Sequence, residues 1–220
     1  MGVGVNARHI IAQRAAKEIK DGMVVNLGIG MPTLVADYIP KDVHVMFHAE
    51  NGILGTGPTP AKGQEDENLC NAGGLPITVV PGASYFDSTY AFSMIRRGLL
   101  DVTVLGAFEV SQYGDLANWI VPNKIVSGMG GAIDLAQKTK KVIVLMNHVD
   151  KKGNPKIVAE CSLPLTAKRC VDLIITDMAV IKVSSEGLHL IEVMEGYTVE
   201  DVRKHTGAPL MISDEMKGER

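Results

Sequence analysis

The residues best placed for chemistry lie in three short glycine-bearing segments. In Phe47-His48-Ala49-Glu50-Asn51-Gly52 an acid follows the strand-like run His44-Val45-Met46-Phe47 and is flanked by small residues. Open α/β sheets bind ligands just past the carboxyl ends of their strands. Asn51-Gly52 favours a turn with positive φ, which aims the Glu50 side chain away from the strand. The functional reading is a carboxylate presented to a ligand, and the plain one is a solvated loop acid. His48 beside it is either a base or metal ligand, or a strand-end histidine packed on its ring face. The second segment, Ser127-Gly128-Met129-Gly130-Gly131-Ala132, opens the helical pattern IDLAQKTK. Free N–H groups at such a start suit a phosphate or an oxyanion. No GK[ST] follows, so this is not a Walker loop, and a close-packed turn is the alternative. The third, Asn26-Leu27-Gly28-Ile29-Gly30-Met31-Pro32-Thr33, follows a strand in the manner of a dinucleotide fingerprint. Thr33 stands where the third glycine belongs, and Asp37 comes too early to read a ribose. It reads as a tight turn that lets a ligand or a neighbouring backbone come close, or as a turn needed only for packing.

Other residues narrow the chemistry by exclusion. His9, His44, His148, His189 and His205 are scattered without metal-ligand spacing, so no metal is implied. Ser84, Ser88 and Ser93 lie in no G-x-S-x-G elbow. Lys138–Lys141 and Lys151-Lys152 read as solvated faces, Trp119 as a packed anchor, and Asn71-Ala72-Gly73-Gly74 as a ligand-lining stretch or a turn. No Arg- or Lys-containing motif offers itself to hold a substrate carboxylate. The 220 residues, 46% of them apolar, bound the chain to one domain or two. With 22 Lys and Arg against 25 Asp and Glu, the formal charge is −3, which argues against nucleic acid and against a polybasic membrane surface. Cys70, Cys161 and Cys170 fit a reducing cytoplasm rather than a disulfide framework. No apolar run is long enough to span a bilayer, and MGVGVNARHI carries no signal-peptide core.

The elements that must position these segments alternate between helix and strand. Residues 8–20 place Ile11, Ala15, Ala16 and Ile19 on one helical face, with Asp21-Gly22 as the stop. Strands are expected over 23–27, 44–47, 77–80, 101–105, 142–146, 171–176, 178–183 and 187–193, the last two as a hairpin. A short helix follows Thr33 over LVADYI, and Thr198 caps another over VEDVRKH. The stretch 52–75, rich in Gly and Pro, reads as a long irregular functional loop. The result is a single α/β domain over 1–220, with a mixed, mainly parallel sheet flanked by helices and a frayed tail over 213–220.

Taken in order, VNLGIGMPT, FHAENGILG, NAGG, LANWIVP, SGMGGAIDLA and PLTA resemble the β subunit of family I coenzyme A transferases, of the 3-oxoacid and acetate–acetoacetate type. The match runs from about residue 8 to 195. The family signature S-E-N-G has Ala49 in place of its serine here. The resemblance implies a CoA transferase-like fold, Glu50 as the catalytic carboxylate, and a glutamyl-CoA thioester as the intermediate. It places a backbone N–H of Gly131, with Gly130 beside it, at the reaction's oxyanion. Asn26 resembles a residue near the glutamate, while Asn51, Gly28 and Gly30 fall on the substrate side. Coenzyme A enters as a thioester substrate, with no permanently bound cofactor. A separate α subunit, in an α2β2 assembly in the cytoplasm, completes the expectation. An acyl-CoA hydrolase and a non-catalytic effector-binding domain are the rival readings for such a fold.

Overall fold

A computed structural model describes residues 5–122, 128–213 and 216. The chain runs α1 (Val5–Ala16), β1 (Val24–Leu27), a 3₁₀ segment (Met31–Tyr38), β2 (Met46–Ala49), β3 (Ile53–Thr56), β4 (Val79–Tyr85), α2 (Ser88–Arg96) and β5 (Val102–Gly106). It continues with β6 (Glu109–Ser111), β7 (Leu116–Ala117), α3 (Ala132–Lys138), β8 (Lys141–Leu145), β9 (Ile157–Val158), β10 (Leu173–Ile175), β11 (Ala179–Ser184), β12 (Gly187–Val193), α4 (Val199–His205) and β13 (Leu210–Ile212). Ten strands form one sheet in the order β13-β12-β11-β10-β8-β5-β1-β2-β3-β4. The centre, β10-β8-β5-β1-β2, is parallel throughout. Antiparallel strands extend it on both sides, β3 and β4 beyond β2, and β11 and β12 beyond β10. This is the mixed, mainly parallel α/β architecture that the sequence predicts. The small second sheet, β7-β6-β9, is not anticipated.

Strand β8 explains why the sheet is covered on both faces. Lys141-Val-Ile-Val-Leu145 is a continuous apolar run after its first residue, the mark of a strand buried on both sides. Val142 and Val144 pack with Ile95 of α2 and Leu135 of α3. Ile143 and Leu145 turn the other way, onto Ile11, Ala12 and Ala15 of α1. The α1 face is as expected, since Ile11, Ala15, Ala16 and Ile19 are all buried. The helix itself stops at Ala16 rather than Lys20, because the amides of Glu18 and Ile19 turn to the carbonyls of Ala15 and Ala16 in a tighter final turn.

Several expectations need correction. The helix after Gly30 is 3₁₀ and starts at Met31, with Pro32 at its entry. Residues 52–75 are not wholly irregular, since Ile53–Thr56 pairs with both β2 and β4. Helix α2 is an addition. Asp87 caps it by accepting from the Tyr90 N–H at 2.9 Å, and Ala91 and Ile95 form its buried i, i+4 pair. The β11–β12 hairpin and the Thr198 cap are observed as expected. The cap is a full capping box, with Asp201 returning to the Thr198 N–H at 2.9 Å. Ser127 and, within the tail, residues 214, 215 and 217–220 lie outside the described residues.

Candidate active site

Glu50 owes its position to a three-residue loop. Ala49 of β2 pairs with Ile53 of β3, leaving Glu50-Asn51-Gly52 as the turn. The Gly52 N–H closes it onto the Ala49 carbonyl at 3.0 Å, and the Gly52 carbonyl accepts from Phe86 at 2.9 Å. Gly52 has φ of +112°, and a Cβ there would collide with the Phe86 carbonyl oxygen, so only glycine closes this loop. Ala49, where the family signature has serine, is buried with Ile53 and Ile77. Asn51 donates from Nδ2 to the Cys70 carbonyl at 2.7 Å and ties the turn to the long loop that follows β3.

The glycine segment before α3 meets Glu50 from the opposite side. Gly128 and Gly130 have φ of +78° and +49°, and Gly131 is the N-cap of α3. A methyl group built on Gly131 would lie 3.3 Å from both Cγ and Oε1 of Glu50, and 3.2 Å from Cε1 of Phe92. The carboxylate thus lies against the Gly131 backbone at a helix start, where amide dipoles favour negative charge.

The first glycine segment contributes less directly. Gly28 donates to the Val104 carbonyl at 2.8 Å, and a Cβ there would sit 3.1 Å from that same oxygen. Its glycine is needed for packing on β5, even though it also faces the cleft. Gly30, with φ of +90°, caps the 3₁₀ segment. Asn26 is fully buried within the sheet. Its Nδ2 donates to the His48 carbonyl at 3.1 Å, and its Oδ1 accepts from the Thr103 hydroxyl at 3.3 Å. Asn26 therefore fixes the backbone two residues before Glu50 and does not face the open site.

His48 is the packed strand-end histidine. Its ring stacks on Phe86, and Nε2 donates to the Ala91 carbonyl at 3.2 Å, while Nδ1 has no partner among the described residues. Burial pushes its pKa below the ordinary value, against the pull of the Glu50 charge and the Ala91 carbonyl. The ring is neutral and adds no positive charge beside the carboxylate. Among the described residues no group of three or more His, Cys, Asp or Glu is placed to hold a metal.

Glu50, Asn51, Gly28, Gly130 and Gly131 all line one cleft of about 740 Å³. It lies across the carboxyl ends of β1, β5 and β8, where such a sheet binds ligands. A second cavity of about 410 Å³, lined by Leu34, Phe47 and Ile77, also reaches Glu50. The cleft contains residues that the sequence reading passes over. Phe92 comes from the unanticipated α2. Arg8 and Lys156 supply the cations for which no motif was visible. Lys156 sits between Pro155 and Ile157 in a loop, so nothing in its spacing sets it apart from solvated lysines.

Comparison with known proteins identifies relatives of the whole chain. The coenzyme A transferase family model matches residues 8–205. The chain is 58% identical over 212 residues to the beta subunit of a probable coenzyme A transferase of Bacillus subtilis, covering 96% of this chain and 98% of that one. It is 53% identical over 207 residues to one subunit of a probable succinyl-CoA:3-ketoacid coenzyme A transferase of the same organism, covering 94% and 96%. Among solved structures, an acyl-CoA transferase of Escherichia coli O157:H7 superposes with a TM-score of 0.76 at 25% identity. That match covers 98% of this chain but only 43% of the other, longer one.

Proposed function

Because the chain belongs to the coenzyme A transferase family, as a chain of the β-subunit kind, we propose that it carries coenzyme A from an acyl-CoA to a short carboxylate or 3-oxoacid through a thioester on Glu50. The observation that supports this reading is the closeness of Glu50 to Gly131 at the start of α3, where an added Cβ would stand 3.3 Å from the carboxylate Oε1. A glutamate side chain is ionised at neutral pH and needs no activating base, consistent with the neutral, packed His48. The carboxylate attacks the acyl-CoA carbonyl and expels CoA thiolate, leaving an acyl-glutamyl anhydride. The thiolate then attacks the glutamyl carbonyl, releases the acyl group as a carboxylate and leaves glutamyl-CoA. An acceptor carboxylate attacks this thioester and forms a new anhydride. The thiolate attacks the acceptor's carbonyl, giving the new acyl-CoA and free Glu50. Each intermediate keeps the activation of a thioester, so no energy input is required.

The Gly131 N–H is assigned to the tetrahedral oxyanions, with Gly130 shaping its approach. A donor of this kind is worth on the order of 3–4 kcal/mol. Gly28 and Asn51 border the substrate, Gly30 sets the turn beside it, and Asn26 holds the β2 backbone that carries Glu50. Coenzyme A is a substrate here, and the chemistry calls for no resident cofactor. The substrates named for the Bacillus subtilis relative, succinyl-CoA and a 3-ketoacid, suit this cleft as donor and acceptor. An α subunit, in an α2β2 assembly, is the proposed partner. The free thiols Cys70, Cys161 and Cys170 fit a cytoplasmic setting. Among the described residues no helix is long and apolar enough to cross a membrane.

Glu50→Gln keeps the shape and removes the nucleophile, so transfer is expected to fall by about a thousandfold or more with the fold intact. Incubation of the assembled enzyme with acyl-CoA alone, followed by borohydride, is expected to convert Glu50 to an alcohol in the peptide 47–57. A Glu50→Gln enzyme that keeps more than about a tenth of its activity, or an unmodified peptide during active CoA exchange, overturns the reading.

A further inference from the structure

Among the described residues Lys156 is the one half-buried cation in the cleft that the reaction at Glu50 leaves unused. Its backbone is fixed on both sides: its N–H donates to the His148 carbonyl at 3.1 Å, and its carbonyl accepts from Val110 at 3.0 Å. Its Nζ donates to the Ala107 carbonyl at 2.9 Å, one residue past the carboxyl end of β5. Among the described residues no carboxylate lies within 4.0 Å of that ammonium. The acids whose charges reach it, Asp177, Asp150 and Glu109, are engaged elsewhere. Asp177 accepts from the His148 N–H, Asp150 from Lys152 and Asn154, and Glu109 from Ser162 and Leu163. Burial pushes the Lys156 ammonium down to about 8, against the pull of those three. A buried charge without a close counter-ion is costly, and an arriving anion relieves the cost.

We infer that Lys156 holds the distal carboxylate of a short dicarboxylic acyl group whose reacting carbonyl lies at Glu50. This rests on the reading of Glu50 given above and adds the residue that selects a dicarboxylic donor. Glu50 follows β2 and the Lys156 ammonium lies at the end of β5, two strands apart with β1 between them. Strand spacing sets those strand ends about 10 Å apart, and the Glu50 side chain spans only part of that gap, which leaves room for a short chain. The space is lined by Leu27, Ile29, Phe92 and Leu105, which suit methylene groups. Glu50 and Lys156 form no ion pair, so the cation does not neutralise the nucleophile. The phosphates of coenzyme A lie at the far end of its pantetheine arm, outside such a space, and the exposed Arg8 is the cation available at the mouth.

The test uses this chain assembled with its α-type partner. Succinyl-CoA and butyryl-CoA serve as donors, since both carry four carbons and only one has the distal carboxylate. With Lys156→Met, kcat/KM for succinyl-CoA is expected to fall about 30-fold or more, the loss from breaking a buried charge pair. The value for butyryl-CoA is expected to change less than about threefold. Lys156→Gln, which keeps a polar tip for the Ala107 carbonyl, is expected to give the same selective loss. Lys156→Arg is expected to restore most of the preference. An equal loss on both donors, as a coenzyme A phosphate contact would give, overturns the inference, and so does an unchanged succinyl-CoA value. A wild-type enzyme inert with both donors overturns the Glu50 reading itself.

Discussion

Gly131 and Gly52 flank the same carboxylate, yet they are glycines for different reasons. Gly131 has φ −79° and ψ 0°, a conformation open to any residue, so its missing side chain serves Glu50 and Phe92 rather than the backbone. Gly131→Ala inserts a methyl 3.3 Å from the Glu50 carboxylate and pushes it off position. Misplacement by about 1 Å costs on the order of a hundredfold in rate. The shift needed here is a few tenths of an ångström, so transfer is expected to drop short of that limit, by about tenfold, while the melting temperature holds. Gly52→Ala meets backbone instead of a mobile side chain, and at φ +112° it carries strain of about 1–3 kcal/mol before the clash is counted. It is expected to lower stability and activity together. Thermal melts beside kinetics separate the two, and a Gly131→Ala enzyme that keeps full activity removes that glycine from the site. At this scale Glu50, Asn51 and the two glycine segments are legible in the sequence, because their turn chemistry is local. Asn26 is legible only in part. The family resemblance places it near the glutamate, while its burial in β1 turns both ends of its amide to the sheet.

Strand β8, whose end borders the cleft, is fastened by a buried histidine. His148 follows β8, and its N–H donates to Asp177 at 2.8 Å. Its ring reaches the hydroxyl of Thr176, just after β10, and that of Thr206, just after α4, both at 2.9 Å. The Thr206 hydroxyl donates to the Val202 carbonyl at 2.7 Å, so it accepts from Nε2–H. Burial, with the charge of His205 adding to it, lowers the His148 pKa to about 4 from the ordinary 6.5. The unfolded chain binds this proton more readily than the folded one. The stabilising effect is complete above about pH 6.5 and is lost as pH falls towards 4, amounting to roughly 3 kcal/mol. Chemical denaturation across that window is expected to show the loss, and His148→Gln is expected to flatten it. An acid limb unchanged in the variant contradicts the assignment. The sequence shows His148 only as one of several scattered histidines, since its partners come from two other elements. The β11–β12 hairpin and the Thr198 capping box are the reverse case: both arise between near neighbours and are readable directly.

At the scale of the whole molecule, the longer Escherichia coli relative carries more than twice the length matched here. A second α/β half closing over Glu50 would exclude water and strengthen the Gly131 donor. The isolated chain is expected to fold and to turn over acyl-CoA poorly. Addition of an α-type subunit is expected to restore transfer and to yield one larger species by sedimentation. Full turnover by the lone chain, unchanged by the partner, refutes the split-subunit proposal. On that proposal the partner would supply the remaining substrate contacts, since Lys156 and Arg8 are the only basic residues lining this cleft among those described.

The sequence by itself determined what depends on neighbours along the chain. The β2 run followed by Asn51-Gly52 places an acid on a positive-φ turn, the apolar periodicity of residues 11–19 gives α1 its buried face, and the glycines before Ala132 mark a helix start. It also carried the family resemblance, because those motifs are contiguous. Tertiary structure alone decided which of these features meet. Parallel strands β1, β2, β5 and β8 must cross over through helices, so their adjacent carboxyl ends come from distant parts of the chain. Only that strand order lays Gly131 against Glu50 and brings Phe92 from α2. Only its half-buried place in the cleft distinguishes Lys156 from the solvated lysines around it, because the cost of an unpaired charge depends on the water that the fold removes.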